Sequence, residues 1–161
     1  MAKEAEKEAA RKKSLGELGE LFAIKTLVDA HFERIRNLND DTMNTPFADL
    51  YAEKAGKRYV ISVKARNKYQ ADGTLNTRYN LGRNAYEKAG SVSKEYDAEP
   101  YWMAIQFDDH SYSVYFGSLA SLNGKNAIPV DKCEKGLVGT VLASDKRHYF
   151  DFEFYSNNKS Q

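Results

Sequence analysis

Helical spacing of apolar residues marks the first predicted element. From Ser14 the chain reads SLGELGELFAIKTLVDAH, in which leucine, isoleucine, phenylalanine and valine recur three or four positions apart. Ser14, with Glu17 three residues later, is placed to cap the start of such a helix. The pattern predicts a helix over about residues 14–30. The charged residues 1–13 before it are expected to form an extension that is either helical or disordered.

Alternating and continuous apolar runs after this helix predict strands. The stretch HFERIRNLN predicts a first strand. The stretch PFADLYAEKAGKRYVISVKAR predicts a β-hairpin with KAGK as its turn, where Gly56 supplies the unusual backbone angles. The run YVISV is apolar enough to be buried on both faces, so we expect the hairpin at the centre of a sheet.

A second helix and further strands complete the pattern. Asn80 is placed to cap a helix through LGRNAYEKAGSVSKEYD, and the apolar stretches YWMAIQF and SYSVYFGSL predict strands after it. Residues 119–147 predict irregular or short β structure. The stretch HYFDFEFY, residues 148–155, predicts a strand with one buried side. This mixed order implies an α/β fold in which helices cover a sheet.

Length and composition predict one globular domain. The chain has 161 residues, of which 42% are hydrophobic, and this is enough to bury one core. We expect residues 14–161 to form that domain, with its core at 14–107 and a β-rich elaboration at 108–161. The one cysteine, Cys133, excludes an internal disulfide framework and predicts a reducing, cytoplasmic location. No apolar run approaches the roughly 20 residues of a membrane span, so we predict neither a membrane anchor nor a secretion signal.

The charge is distributed unevenly along the chain. The net charge is +1, but the segment from Lys54 to Lys94 has ten basic and two acidic residues and so carries +8, which leaves −7 for the remainder. A local positive field of this size attracts polyanions, of which nucleic acid is the commonest. A solvated basic loop would have the same composition.

The hairpin carries the candidate chemistry. Ser62 and Lys64 are two residues apart on one strand and therefore share a face. Asp49 lies on the neighbouring strand and is expected at the same end of the sheet, with Glu20 of the first helix nearby. A carboxylate suits Mg²⁺, which proteins commonly hold with one or two carboxylates. A lysine beside such a metal can orient or help deprotonate the attacking water and neutralise charge on a phosphate.

These segments resemble a known group of enzymes. The helix GELGELFAIKTLV, the strands PFADLYAE and RYVISVKAR, and the later helix with YWMAIQF resemble the PD-(D/E)xK nuclease superfamily over roughly residues 14–107. That superfamily has the restriction-endonuclease-like fold, shared with archaeal Holliday junction resolvases. The resemblance implies an αβββαβ core, with a mixed sheet flanked by helices and extra C-terminal β strands. It also implies a DNA endonuclease that uses Mg²⁺ or Mn²⁺.

The resemblance assigns roles to individual residues. Asp49 matches the metal-binding acid, Lys64 the catalytic lysine, and Glu20 the acid that the first helix contributes in resolvase-like members. The backbone carbonyl of Val63 would be a further metal ligand. The rest of the chain would then complete a single nuclease-like domain.

Ser62 departs from the superfamily pattern, which has Glu, Asp or sometimes Gln at this position. The missing carboxylate could come from the following helix, with Glu87 as the candidate metal ligand and Asp72 as the second choice. Gly90 and Ser91 on the predicted Glu87 face would let that helix approach the sheet. Alternatively, the serine holds a water molecule without replacing the charge. The third alternative is a catalytically inactive module that binds DNA or a protein partner.

The basic segment supplies the predicted DNA contacts. The residues expected to contact the phosphate backbone are Arg66, Lys68, Arg78 and Arg83. Two-fold DNA substrates favour two-fold proteins, so a homodimer is expected as well.

Overall fold

The computed structural model describes residues 2–41 and 45–147. The helices are α1 (Ala2–Asp29), α2 (Leu38–Asp41), α3 (Ala85–Tyr96) and α4 (Val130–Glu134), with a 3₁₀ turn at Leu119–Leu122. The strands are β1 (Glu33–Asn37), β2 (Leu50–Lys54), β3 (Lys57–Asn67), β4 (Arg78–Asn80), β5 (Glu99–Phe107), β6 (Ser111–Ser118), β7 (Ala127–Pro129) and β8 (Thr140–Arg147). The predicted strand at residues 148–155 lies outside the described residues.

Six strands form the main sheet, in the order β1-β2-β3-β5-β6-β8. β3 and β5 are parallel, and the other neighbouring pairs are antiparallel. β4 and β7 form a separate two-stranded sheet. The sheet is flanked by helices, the order α1-β1-β2-β3-α3-β5 is the predicted αβββαβ core, and β6 and β8 extend the sheet. The predicted fold class is therefore confirmed.

The β2–β3 hairpin is central, as predicted. Lys54 pairs with Lys57 across a two-residue turn. Ala55 and Gly56 in that turn have φ values of 51° and 79°, the left-handed pair that suits a tight hairpin. β3 lies between β2 and β5, and its consecutive residues Val60 and Ile61 are both fully buried, one on each face.

The first helix begins earlier than predicted. α1 runs without a break from Ala2 through Ser14, so the prediction that Ser14 caps the helix is wrong. The preceding residues are mainly Ala, Glu, Lys and Arg, which have high helix propensity. Glu8 and Arg11 also form an ion pair one turn apart. These local preferences extend the helix on the N-terminal side of Ser14, although Ser14 could also have capped a helix.

The second long helix begins later than predicted. Asn80 does not cap it, because Asn80 ends β4 and pairs with Ala127. Gly82 and Asn84 have φ values of 98° and 56°, which are left-handed conformations that a helix cannot contain. α3 can therefore start only at Ala85.

Each face of the sheet has its own core. Phe22 and Leu27 of α1 pack with Ile61 and other apolar side chains on one face. Ala89 of α3 packs with Trp102 and the segment around the 3₁₀ turn on the other face. The two helices are thereby fixed against opposite sides of β3. Among the described helices, none combines the length and the apolar composition needed to cross a bilayer.

Candidate active site

Close packing of α1 on β3 sets the position of Glu20. Gly19 is buried, and a Cβ atom at this position would overlap the Cβ atom of Ala65. Only glycine allows the helix to approach the strand so closely. Glu20 is the next residue and is partly buried at the edge of this contact.

Backbone and side-chain hydrogen bonds hold Asp49 at the start of β2. The Asp49 N–H donates to the Ile61 carbonyl at 2.9 Å, and the Asp49 carboxylate Oδ2 accepts from the Val63 N–H at 2.8 Å. In an antiparallel pair the N–H and C=O of one residue point toward the same neighbouring strand, so the Val63 carbonyl is also on the β2 side of β3. Leu50 pairs with Ile61, so continuing this register by one residue places Asp49 opposite Ser62.

Ser62 and Lys64 differ in their surroundings although strand alternation puts them on one face. Ser62 is 1% exposed, so the position next to Asp49 is filled by a small, uncharged and buried side chain. Lys64 is only partly buried and lines an open cleft together with Asp49. The structure therefore brings Asp49, Ser62 and Lys64 together, as the hairpin register predicts.

The cleft opens between α1, the junction of β1 with α2, the residue before β2, and β3. It has a volume of about 600 Å³. The residues that line it are Lys12, Lys13, Gly16, Glu17, Glu20, Leu21, Asn37, Asn39, Asp40, Asp49, Val63 and Lys64. Glu20, Asp49, Val63 and Lys64, drawn from three separate elements, thus share one solvent-accessible site.

Asn39 connects the two carboxylates, and the sequence patterns did not reveal it. Its side-chain Nδ2 donates to Glu20 Oε1 at 3.0 Å, and its backbone N–H donates to Asn37 Oδ1 at 2.9 Å. A hydrogen bond from the Asn39 side chain also lowers the pKa of Asp49. The sequence signal for it is only a polar residue two positions after the strand that pairs with β2.

The two carboxyl groups are held in an environment that disfavours their charge. Burial raises the pKa of Asp49, although the hydrogen bond from Val63 and the charge of Lys64 oppose this shift. Burial also raises the pKa of Glu20, and the neighbouring Asp49 carboxylate raises it further, while the bond from Asn39 lowers it. Two nearby carboxyl groups whose charged forms are disfavoured by burial form a site that a cation would stabilise.

The pKa of Lys64 is shifted in the opposite direction, which also favours the neutral form. Burial lowers the pKa of Lys64, the Asp49 carboxylate opposes this change, and the positive charges of Arg66 and Lys88 add to it. The neutral amine is thus more accessible than for an exposed lysine. Desolvated titratable groups with specific charged neighbours are typical of functional sites.

The structure does not bring Glu87 to this cleft. Glu87 is exposed in the first turn of α3 and is not one of the cleft residues. α3 faces the sheet through its buried residues Ala85, Ala89 and Val92, so the predicted approach through Gly90 and Ser91 is wrong.

Asp72, the second choice, is also away from the cleft. Its carboxylate Oδ1 accepts from the Thr74 N–H at 3.0 Å and from the Thr74 hydroxyl at 2.6 Å within the loop after β3. Its side chain therefore serves the turn in which it lies. Glu20 is the predicted acid that shares the cleft with Asp49.

The predicted DNA-binding cations lie in two groups. Arg66 and Lys68 follow Lys64 at the end of β3, where the Lys68 ammonium lies 5.8 Å from the centre of the Tyr69 ring. Arg78 is exposed on β4, and Arg83 is exposed in the turn before α3. Lys88, in the first turn of α3, adds positive charge near Lys64 and was not predicted.

Within residues 2–41 and 45–147, no group of three or more His, Cys, Asp or Glu side chains is arranged to hold a metal ion. Four acidic residues line the cleft: Asp49 and Glu20 are partly buried, and Glu17 and Asp40 are exposed.

Comparison with known proteins identifies the fold. No protein-family model matches the sequence, and no curated protein matches it. Among solved structures, the chain is similar to Hjc, a Holliday junction resolvase from the archaeal hyperthermophile Archaeoglobus fulgidus. The TM-score is 0.54 and the sequence identity is 16%, over 78% of this chain and 90% of Hjc. At this identity the likeness is one of architecture, and the chain has a restriction-endonuclease-like nuclease fold.

Proposed function

We propose that this protein is a metal-dependent endonuclease that hydrolyses phosphodiester bonds in DNA. The observation that carries the proposal is that Asp49, Glu20 and Lys64 line one cleft. The pKa of each is shifted in the direction that favours its neutral form. The nuclease-like fold agrees with this chemistry, because the Hjc structure is that of a Holliday junction resolvase.

The donor set in the cleft fits Mg²⁺ or Mn²⁺. Asp49 and Glu20 would hold the ion with their carboxylates, and the Val63 carbonyl faces the same side. Two carboxylates are enough for Mg²⁺, which usually keeps several waters and also binds substrate phosphates. When bound, the ion would polarise a phosphoryl oxygen and make a water molecule more acidic.

Lys64 would act on the attacking water and on the charge of the phosphate. Its lowered pKa makes the neutral amine available to accept a proton from the attacking water. In its charged form, the ammonium stabilises negative charge that develops on the phosphate. The charge of Asp49 favours the ammonium form and so opposes the lowering of the Lys64 pKa by burial.

The decisive experiment measures cleavage of supercoiled plasmid, linear duplex and branched DNA with and without Mg²⁺ or Mn²⁺. We expect metal-dependent cleavage by the wild type and none by Asp49→Ala or Lys64→Ala. The matched controls are Lys57→Ala at the hairpin end of β3 and Asp97→Ala, which removes the acid that pairs there with Arg58. Activity that persists in both cleft variants would show that another site is the catalyst.

A specific observation favours a second candidate function, a binding module without catalysis. Ser62 places a buried, uncharged side chain opposite Asp49, so this position lacks the acid of the superfamily pattern. Calorimetric titration with Mn²⁺ separates the two functions. Binding that is lost in Asp49→Ala supports the enzyme. DNA binding without any Mn²⁺ binding supports the module.

Four cations of the basic segment, of which Lys68 is partly buried and the others are exposed, would contact the DNA backbone. The proposed contacts are Arg66, Lys68, Arg78 and Arg83. Affinity for duplex DNA should fall as salt rises, with a log–log slope of about −0.9 for each phosphate contact. Replacing one of these residues by alanine should reduce the slope by about 1. A flat response would instead indicate a protein partner. A two-fold DNA substrate would favour a homodimer, which sedimentation with and without DNA measures.

A further inference from the structure

A second groove lies beside the candidate active site. It runs between the N-terminal half of α1 and the loop that follows β3, and its volume is about 820 Å³. Lys12 lines both this groove and the cleft. Arg66, two residues after Lys64 on β3, also lines it. The two sites therefore adjoin at Lys12, and a polymer bound in the cleft has a path into this groove.

The charges along the groove favour a polyanion. Its cations are Arg11, Lys12 and Arg66. The acid among its described residues, Glu8, is paired with Arg11. The groove therefore carries an excess of positive charge, with Asn67 and Asn76 as neutral hydrogen-bonding groups. This combination suits a phosphate backbone with base edges beside it.

Tyr69 provides an aromatic surface in the wall of this groove. It is 49% exposed, although it lies in a well-bonded part of the loop. The Gln70 N–H donates to the Thr74 carbonyl at 2.7 Å, and the Asn76 N–H donates to the Lys68 carbonyl at 2.9 Å. Tyr69 itself pairs with Leu75 across this small hairpin. The loop backbone thus holds the ring at the surface before any ligand arrives.

An exposed aromatic ring next to cations is a stacking site for nucleic-acid bases. Lys68 lies 5.8 Å from the ring centre and adds a positive charge beside it. In duplex DNA each base is already stacked between its neighbours and offers no free face. An unpaired nucleotide does offer one, and stacking on an aromatic side chain is the common way to bind it.

We propose that this groove binds an unpaired DNA strand, with one base stacked on Tyr69 and the backbone following Arg11, Lys12 and Arg66. This inference rests on the proposed nuclease function for its biological use. It specifies the substrate class: DNA that carries a single-stranded segment next to the bond to be cut. A fully paired duplex would occupy the cleft without filling the groove.

The test is equilibrium binding in the absence of metal, so that cleavage does not enter. Fluorescence anisotropy compares labelled oligo-dT, a duplex with a single-stranded tail, and the same duplex with blunt ends. Tyr69→Ala should weaken binding of oligo-dT and tailed duplex by roughly 5- to 150-fold, the range for loss of one base stack. Binding of the blunt duplex should be unchanged.

Tyr69→Phe is the matched control, because it keeps the ring and should retain wild-type affinity. Thermal unfolding of both variants checks that the exposed substitution leaves the fold intact. Equal affinity of wild type and Tyr69→Ala for oligo-dT would overturn the proposal. So would an equal loss for tailed and blunt duplex.

The outcome is separable from that of the proposed function. If the protein cleaves DNA but strand binding does not depend on Tyr69, the groove proposal is rejected and the nuclease proposal stands. If strand binding depends on Tyr69 but no metal supports cleavage, the groove proposal stands and the nuclease proposal is rejected.

Discussion

The two ends of β3 carry similar charges in opposite environments. At the hairpin end, Lys57 forms an ion pair with Glu99 at 2.6 Å, and Arg58 forms one with Asp97 at 2.5 Å. These pairs are exposed, and hydrogen bonds to Glu99 and Tyr101 raise the pKa of Lys57. At the other end, burial lowers the pKa of Lys64 and raises that of Asp49.

The difference distinguishes structural charges from candidate functional ones. The charges at the hairpin end are matched by partners and contribute little to stability because water screens them. In the cleft, the charged forms of Asp49, Glu20 and Lys64 are all disfavoured by burial, so the fold holds them at a cost. A fold tolerates such groups most often where they perform chemistry.

The largest expected effect contrasts the two lysines of β3. Lys64→Met should lower the rate of metal-dependent DNA cleavage by roughly 10²- to 10⁴-fold, because it removes the group that handles the proton of the attacking water. Lys57→Met should leave the rate unchanged, since its ammonium is engaged by Glu99 far from the cleft. Single-turnover cleavage with saturating protein measures both. Equal losses would contradict the assignment of the cleft as the catalytic end.

A smaller loss is expected from Asn39→Ala. Without its amide, Glu20 loses a hydrogen bond and the pKa values of Glu20 and Asp49 rise further. Metal affinity should fall by roughly 10- to 100-fold, the usual effect of removing a group that orients a ligand. The cleavage–pH profile should also move to higher pH, because the carboxylates must lose their protons to bind metal. Asn126→Ala, an exposed position away from the cleft, serves as the control. An unshifted profile would mean that Asn39 has only a structural role.

The stability of the protein should reveal the cost of the Asp49 charge. A carboxyl whose pKa is raised in the fold adds stability at low pH, and this contribution disappears as pH rises through the folded-state pKa. The free energy of unfolding of Asp49→Asn should therefore rise relative to that of the wild type as the pH increases from the range in which carboxyl groups ordinarily titrate toward neutral pH. Urea unfolding at several pH values without metal measures the difference. Asp97→Asn, which removes a carboxylate from an exposed pair, should show no such gain.

The smallest effect is expected from Glu87. Glu87→Gln should change cleavage by no more than about twofold, since surface substitutions away from a site have little effect, and this side chain is exposed outside the cleft. Glu20→Gln should instead abolish Mn²⁺ binding measured by calorimetry. If Glu87→Gln abolished Mn²⁺ binding and Glu20→Gln did not, Glu87 of α3 would be the second metal-binding acid, as the sequence predicted.

Short-range patterns in the sequence predicted the elements well but not their ends. The hairpin turn was readable from KAGK, because two residues with left-handed backbone angles are a local requirement. The ends of the helices were not, since Ser14 and Asn80 are equally able to cap a helix or to lie inside another element. Pairing of Asn80 with Ala127, 47 positions away, removed it from the helix.

The sequence by itself determined the fold class and the central residues of the candidate site. Period-two alternation fixed Ser62 and Lys64 on one face, and the hairpin register placed Asp49 beside them, because both follow from local backbone geometry. The tertiary structure decided which acid joins Asp49. Packing of Gly19 on Ala65 brings Glu20 into the cleft, and the apolar face of α3 leaves Glu87 outside it. It also set the hydrogen bond from Asn39 to Glu20 and the place of Tyr69 in the groove wall, because both depend on contacts between segments that are distant in the sequence.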